Sequence, residues 1–142
     1  MFILSEKSID PAQLKQKVIN PQSGGFVSFE GWVRNHNKVD GKSKLVVTEL
    51  HYEAHEKLAL KIGKTIIVDA LKEFDINAAY CCHRIGQLKV GEMAIWVGVS
   101  ADHRKAAFQA CEYILNQTKA TVPIWKNEFY QSGESGWVEA NL

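Results

Sequence analysis

The segment HRKAAFQACEYILNQTKATVPIWKNE, residues 103–128, decides how the rest of the chain is read. It opens on a His-Arg pair and carries apolar residues at Ala107, Cys111 and Ile114. That spacing predicts about four turns of amphipathic helix, with Arg104, Glu112 and Asn116 on other faces. Pro123 breaks the helix, and residues 122–130 return as a strand. Lys119 and Lys126 bracket the reversal. Two ammonium groups held close across a turn disfavour each other's charged form, which leaves one as an amine, a nucleophile or base, near neutral pH. The alternative is two solvated surface lysines with no common task. His103, Arg104 and Trp125 add further cationic and ring side chains to the same stretch.

Working outward, residues 94–99 (AIWVGV) are apolar at nearly every position and predict a strand buried on both faces. Ser100 and Asp102 are the candidate caps for the helix that follows. Residues 76–83 predict another strand, and a turn is expected around Lys89-Val90-Gly91-Glu92. From Ala54 to Phe74, Leu58, Ile62, Ile66, Leu71 and Phe74 keep a near-helical period. Gly63 inside that run weakens a helix by about 1 kcal/mol against alanine, so close packing against a neighbour is expected there. Before it, Lys44–Tyr52 reads as the return of strand 26–34 (FVSFEGWVR), joined by the polar loop 35–43 with Asp40-Gly41 as its turn. Gly31 marks a bulge or a close backbone approach, and Arg34 is delivered at the strand's end. Asp10-Pro11 signals a helix start, with Leu14 and Val18 as its apolar stripe and Asn20-Pro21 as its end. Phe2–Leu4 is a short edge strand, and Trp137-Val138 a last one. The class is α+β, or α/β with a mixed sheet.

A chain of 142 residues is expected to form one domain with a real core. A net charge of +1 excludes wholesale nucleic-acid binding, so any functional positive charge must be local. Cys81, Cys82 and Cys111 include no Cys-x-x-Cys, which points to reduced thiols in a cytosolic setting. The start MFILSEKSID lacks a basic region and a cleavage signature, so a secretory signal is not expected, and no apolar run reaches membrane-spanning length. His51 and His55 are four apart, but a strand-to-helix boundary falls between them and no third ligand is evident; no metal site is expected. There is no Gly-rich phosphate loop, no nucleophile elbow and no close acidic pair. The candidate groups are cations: Arg34, His103, Arg104, Lys119 and Lys126. Such a set suits a phosphate-bearing substrate, a partner ending in a carboxylate, or both.

Several motifs recur together in order: GWVRNHN (31–37), LHYEAH (50–55), HRIGQLKVGE (83–92), HR (103–104), TKATVPIWKNE (118–128) and WVEA (137–140). This set resembles the large subunits of molybdopterin synthase, over nearly the whole chain after about residue 23. The resemblance implies an α/β hammerhead-like mixed sheet with a small additional antiparallel β subdomain, and a homodimer. Each end of that dimer takes a small ubiquitin-like subunit, making a heterotetramer. The small subunit's C-terminal Gly-Gly thiocarboxylate would donate sulfur, twice, to cyclic pyranopterin monophosphate, forming the dithiolene of molybdopterin. Lys119 and Lys126 match the family's catalytic lysines. Trp32, Val33, Arg34, His103, Arg104, Asn127 and Glu128 match its pterin-phosphate and tail-binding positions. No metal or organic cofactor is implied, because the sulfur arrives on the partner. Where some members carry an arginine after WVEA, this chain has Asn141 and then Leu142, so a phosphate contact from that place is not expected. Two rival readings are a scaffold that captures a partner's tail without transfer, and a nucleotide-binding regulator. Intact lysines disfavour the first and the missing phosphate loop the second.

Overall fold

The computed structural model describes residues 1–38 and 44–138. In chain order the elements are β1 (Phe2–Ser5), α1 (Pro11–Gln16), β2 (Gly25–Trp32), β3 (His36–Lys38), β4 (Lys44–Ala54), α2 (Glu56–Glu73), β5 (Ala78–Arg84), β6 (Gly86–Lys89), β7 (Met93–Ala101), α3 (Arg104–Thr121), β8 (Ile124–Tyr130) and β9 (Ser135–Val138). They form two sheets. The first is mixed, in the order β1-β5-β7-β2, with β1 parallel to β5 and the other pairs antiparallel. The second runs β3-β4-β8-β9, all antiparallel, with β6 also on β4. The fold is α+β with the expected mixed sheet and added antiparallel part.

The alternation of side chains along a strand explains the two cores. On β7, Ile95, Val97 and Val99 face the main core with α2 and α3, while Trp96 faces a smaller cluster with Leu14, Val18, Tyr80 and Cys82 near α1. Burial on both faces is why this strand reads as a continuous apolar run. The helix stripe Ala107, Cys111 and Ile114 is buried as expected. All three thiols are free and buried, and burial pushes Cys81 up to about 12, so none is a ready nucleophile.

Two expected glycine contacts are present. A Cβ on Gly63 would lie 2.2 Å from the Phe2 ring, so this glycine lets β1 approach α2. The β2–β7 register shifts between Gly31 and Trp32, and a Cβ on Gly31 would sit 2.7 Å from Ile95 Cγ2. Asp10 caps α1, its Oδ1 accepting from the Gln13 amide at 3.2 Å.

Other expectations need correction. β4 is not the return of β2. It belongs to the second sheet, where Leu50 pairs with Leu88 of β6 on one edge and Glu128 of β8 on the other. Residues 36–38 are strand rather than loop, because β4 is long enough to carry β3 ahead of β6. β6 itself is an additional strand. α1 ends at Gln16, short of Asn20, with a 3.0 Å bond from the Lys17 amide to the Leu14 carbonyl closing it. The buried face of α2 is Ala59, Gly63, Ile66, Ile67 and Ala70, whereas Leu58 and Leu71 are exposed. The cap position of α3 is His103, which makes no side-chain cap bond; Asp102 instead accepts from Asn77 at 2.8 Å. The Asp40-Gly41 turn and the Asn141-Leu142 end lie outside the described residues.

Candidate functional site

Where the two sheets meet, the reversal from α3 into β8 closes over the end of β2 and forms a small cleft. Val33 is pinned by two backbone bonds of 2.9 Å, its amide donating to the Glu92 carbonyl and its carbonyl accepting from the Gly91 amide. The next residue, Arg34, is thereby presented at the cleft as an exposed side chain. Lys119 occupies the last turn of α3, where the helix C-terminus favours a cation. Val122 ends that helix in extended backbone, and Pro123 accepts from the His55 amide at 3.2 Å, which turns the chain into β8.

Along β8 the side chains alternate. Ile124, Lys126 and Glu128 point inward, while Trp125 is half-exposed. Lys126 stands opposite Tyr52 in the β4–β8 ladder, and Glu128 opposite Leu50. The cleft, about 70 Å³, is lined by Trp32, Val33, Arg34, Lys119, Lys126 and Glu128 among the expected residues. This is well below the roughly 300–1,000 Å³ of a whole small-molecule site.

Three cations and one buried carboxylate share this space. Lys126 and Glu128 are 7% and 1% exposed, and their charged atoms lie 3.6 Å apart. Asn37 Nδ2 donates to the same Glu128 oxygen at 2.6 Å. Burial holds Lys119 below the ordinary lysine range, and the charges of Lys126 and Arg34 push it further the same way. Lys126 is also lowered by burial, but Glu128 opposes that. Both lysines are thus held below the ordinary lysine range. The like-charge effect expected across the reversal is present at Lys119, but desolvation is the larger cause of its shift.

Three lining residues were missed as site residues. Tyr52 is pushed up to about 12, first by burial and then by Glu128, so its phenol stays protonated. His83 is buried, and its Nδ1 lies 2.7 Å from the Arg84 carbonyl, to which it donates. Burial then lowers it to about 4, with Lys119 a smaller cause in the same direction, so the ring is neutral. Asn37 is the third. All three sit in motifs quoted above, but only the sheet junction brings them together.

Some expected residues lie elsewhere. His103 and Arg104 begin α3, at the far end from Lys119, and do not line the cleft. Asn127 points to the other face of β8, where its buried Oδ1 has no partner among the described residues. Trp32, which does line the cleft, is largely exposed, and its Nε1 donates to Glu30 at 3.2 Å. Among the described residues, no cluster of His, Cys, Asp and Glu could hold a metal ion, and no helix is long and apolar enough to cross a membrane.

Comparison with known proteins gives these features a context. The model of the MoaE protein family matches residues 4–121. A molybdopterin synthase catalytic subunit of Thermoplasma volcanium is 40% identical, over 94% of either chain. The crystal structure of molybdopterin synthase from Staphylococcus aureus superposes with a TM-score of 0.86 at 31% identity, covering 95% of this chain and 94% of that one. A chain in the Helicobacter pylori complex of subunits 1 and 2 of molybdopterin-converting factor shares the fold, with a TM-score of 0.76 at 18% identity. That match covers 97% of this chain and 90% of the other.

Proposed function

This chain belongs to the MoaE protein family, and from that premise we propose that it is the catalytic subunit of a molybdopterin synthase. It is a sulfurtransferase of molybdenum cofactor biosynthesis. Its partner is a small ubiquitin-like subunit whose C-terminal thiocarboxylate supplies sulfur to cyclic pyranopterin monophosphate, giving the molybdopterin dithiolene. The observation that carries this reading is the placing of Arg34, Lys119 and Lys126 around one cleft, with Lys119 inclined to lose its proton. Two anions, a phosphate and a thiocarboxylate, must meet there, and fixed cations offset their repulsion without reorganising. Arg34 is the phosphate contact, since an exposed guanidinium offers a fork of donors. Once its proton is released, the Lys119 amine has a lone pair with which to attack the tail's acyl carbon or remove a proton at the transfer step. Lys126, paired with Glu128, remains the ammonium that holds a tail carboxylate. We place the enzyme in the cytosol, where its thiols stay reduced.

Incubating the protein with thiocarboxylated small subunit and cyclic pyranopterin monophosphate should yield dithiolene product. Binding of the tail without product would instead identify a tail-capturing scaffold.

His103 and Arg104 enter this reading through a second copy of the chain. Arg104 and Lys119 are fifteen residues apart on α3, about 22 Å along the axis. Side chains reaching about 6–7 Å cannot close that gap over one small ligand. In a twofold dimer, the His103-Arg104 end of one subunit completes the lysine cleft of the other. Mixing inactive Arg104→Ala and Lys119→Ala proteins under subunit exchange should then restore part of the activity, because a mixed dimer has one site free of both lesions. Verified exchange with no recovery would reject the shared site.

A further inference from the structure

Tyr52 is 7% exposed and lines the cleft from β4, where it pairs with Lys126 of β8 on one side and Gly86 of β6 on the other. Its ring is braced. The His83 imidazole packs edge-on against it, and His83 is itself tied through Nδ1 to the Arg84 carbonyl. The hydroxyl, by contrast, has no hydrogen-bond partner among the described residues. Nor is it sealed: the side-chain atoms that are both buried and unpartnered are Arg84 Nε and Asn127 Oδ1. The O–H therefore opens into the cleft. Buried polar groups are paired as a rule, so an unengaged hydroxyl on a buried tyrosine is a donor left for a ligand. The charged and titratable side chains that share the space are Arg34 after β2, His36 on β3, His83 on β5, Lys119 on α3, and Lys126 and Glu128 on β8. Of these, the Glu128 carboxylate is taken by Asn37 and Lys126. Burial first, then Glu128, pushes the phenol up to about 12, so it keeps its proton at any working pH.

We propose that Tyr52 is a catalytic residue for sulfur transfer: its hydroxyl donates a hydrogen bond to the acyl oxygen of the partner's tail as negative charge gathers there. This rests on the function proposed above. Once the tail's sulfur has bonded to a carbon of the precursor, the tail is a thioester. A water then adds to the acyl carbon. The new C–O bond uses a lone pair of the water, one water proton passes to the Lys119 amine, and the carbonyl π pair moves onto the acyl oxygen. Tyr52 holds that oxyanion without giving up its own proton. When the C=O bond re-forms, the C–S bond breaks and the sulfur leaves on the precursor with the bonding pair. The tail departs as a carboxylate, its remaining acid proton going to solvent. Arg34 and Lys126 face standing anions in this reading, a phosphate and a carboxylate, whereas the neutral phenol has no charge to answer before the step. A braced donor also needs no reorganisation as the charge appears.

The test uses the full chain reconstituted with thiocarboxylated small subunit and cyclic pyranopterin monophosphate. Tyr52→Phe keeps the ring and its contact with His83 and removes the hydroxyl. Its kcat should fall by about 10²- to 10³-fold, the usual loss for one such donor, with KM for the precursor and Kd for the partner changed by less than about threefold. Because the slowed step follows the sulfur's bond to the precursor, a partner–precursor thioester should build up in single turnovers, seen as added mass on the small subunit. Difluorotyrosine placed at position 52 gives a readout that packing alone does not move. Its phenol ionises at lower pH and a phenolate cannot donate, so a basic limb should appear in the kcat profile where the phenolate absorbance rises. Should Tyr52→Phe fail to fold, this variant, which keeps the hydroxyl, decides alone. A folded Tyr52→Phe protein with kcat within about threefold of wild type, or one slowed without thioester build-up, overturns the proposal. So does a fluorinated protein whose profile keeps the wild-type shape. If the wild-type protein itself forms no dithiolene, the proposed function fails and the role of Tyr52 with it; wild-type turnover beside a fast Tyr52→Phe protein rejects Tyr52 alone.

Discussion

The His83 imidazole stands edge-on to the Tyr52 ring, with centroids 5.0 Å apart and planes at 83°, and both side chains wall the cleft from inside. This is a packed aromatic contact in which one member titrates. Because burial holds His83 at about 4 in the folded chain, against an ordinary value near 6.5, the unfolded chain takes up a proton that the folded one refuses. The contribution to stability is therefore complete above pH 6.5 and is lost as pH falls from there toward 4. Its full size is about 3 kcal/mol at 1.36 kcal/mol per pH unit. His83→Phe keeps the ring contact and should lower stability at pH 7 by about 1 kcal/mol through the lost Arg84 bond. It should also flatten the fall in unfolding free energy between pH 6.5 and 4, as read from urea denaturation across that range. An unaltered slope would show that folding does not lower the pKa of His83.

Gly63→Ala poses a contest between two effects of known sign. Alanine favours a helix interior by about 1 kcal/mol. Against that, the new methyl would meet the Phe2 ring at 2.2 Å, and Phe2 is itself buried. Overpacking of this kind destabilises by about 1–3 kcal/mol, so the variant should have a lower melting temperature. Adding Phe2→Leu should restore part of the loss. A more stable Gly63→Ala protein would mean that β1 does not rest on α2.

Arg34→Ala should weaken binding of cyclic pyranopterin monophosphate and leave partner docking nearly unchanged. A charge-assisted bond is worth about 1.5–3 kcal/mol, which is roughly 10- to 150-fold in Kd. Titrating the precursor against the variant measures this directly, and an unchanged Kd would remove Arg34 from the phosphate site.

These relationships also show where reading the residues alone succeeds. α3 and β7 carry strong periodic or continuous apolar patterns, and each forms where the pattern places it. The bulge at Gly31 and the close approach at Gly63 were legible because glycine inside an element needs a reason. β3 and β6 were not, being three and four residues long with polar content and held by β4 rather than by their own propensity. Pairing was the weakest point. A polar loop between residues 34 and 44 reads as a hairpin of β2 with β4; β4 does pair with the short β3 just before it, but β2 joins β7 and the rest of β4 joins β6 and β8. At the cleft, Arg34 and the two lysines could be named from their positions at element ends. Tyr52, His83 and Asn37 could not, because each is buried and becomes a lining residue only through contact between the two sheets.

The central claim is that Lys119 supplies the reactive amine for sulfur transfer. Dithiolene formation by Lys119→Ala, with thiocarboxylated partner and saturating precursor, tests it most directly. Because burial already disfavours the charged lysine, its removal should not lower the melting temperature, and partner binding should persist. The predicted result is a folded, partner-bound protein whose transfer rate is lower by about 10²- to 10⁴-fold. Transfer at a rate close to wild type would contradict the account.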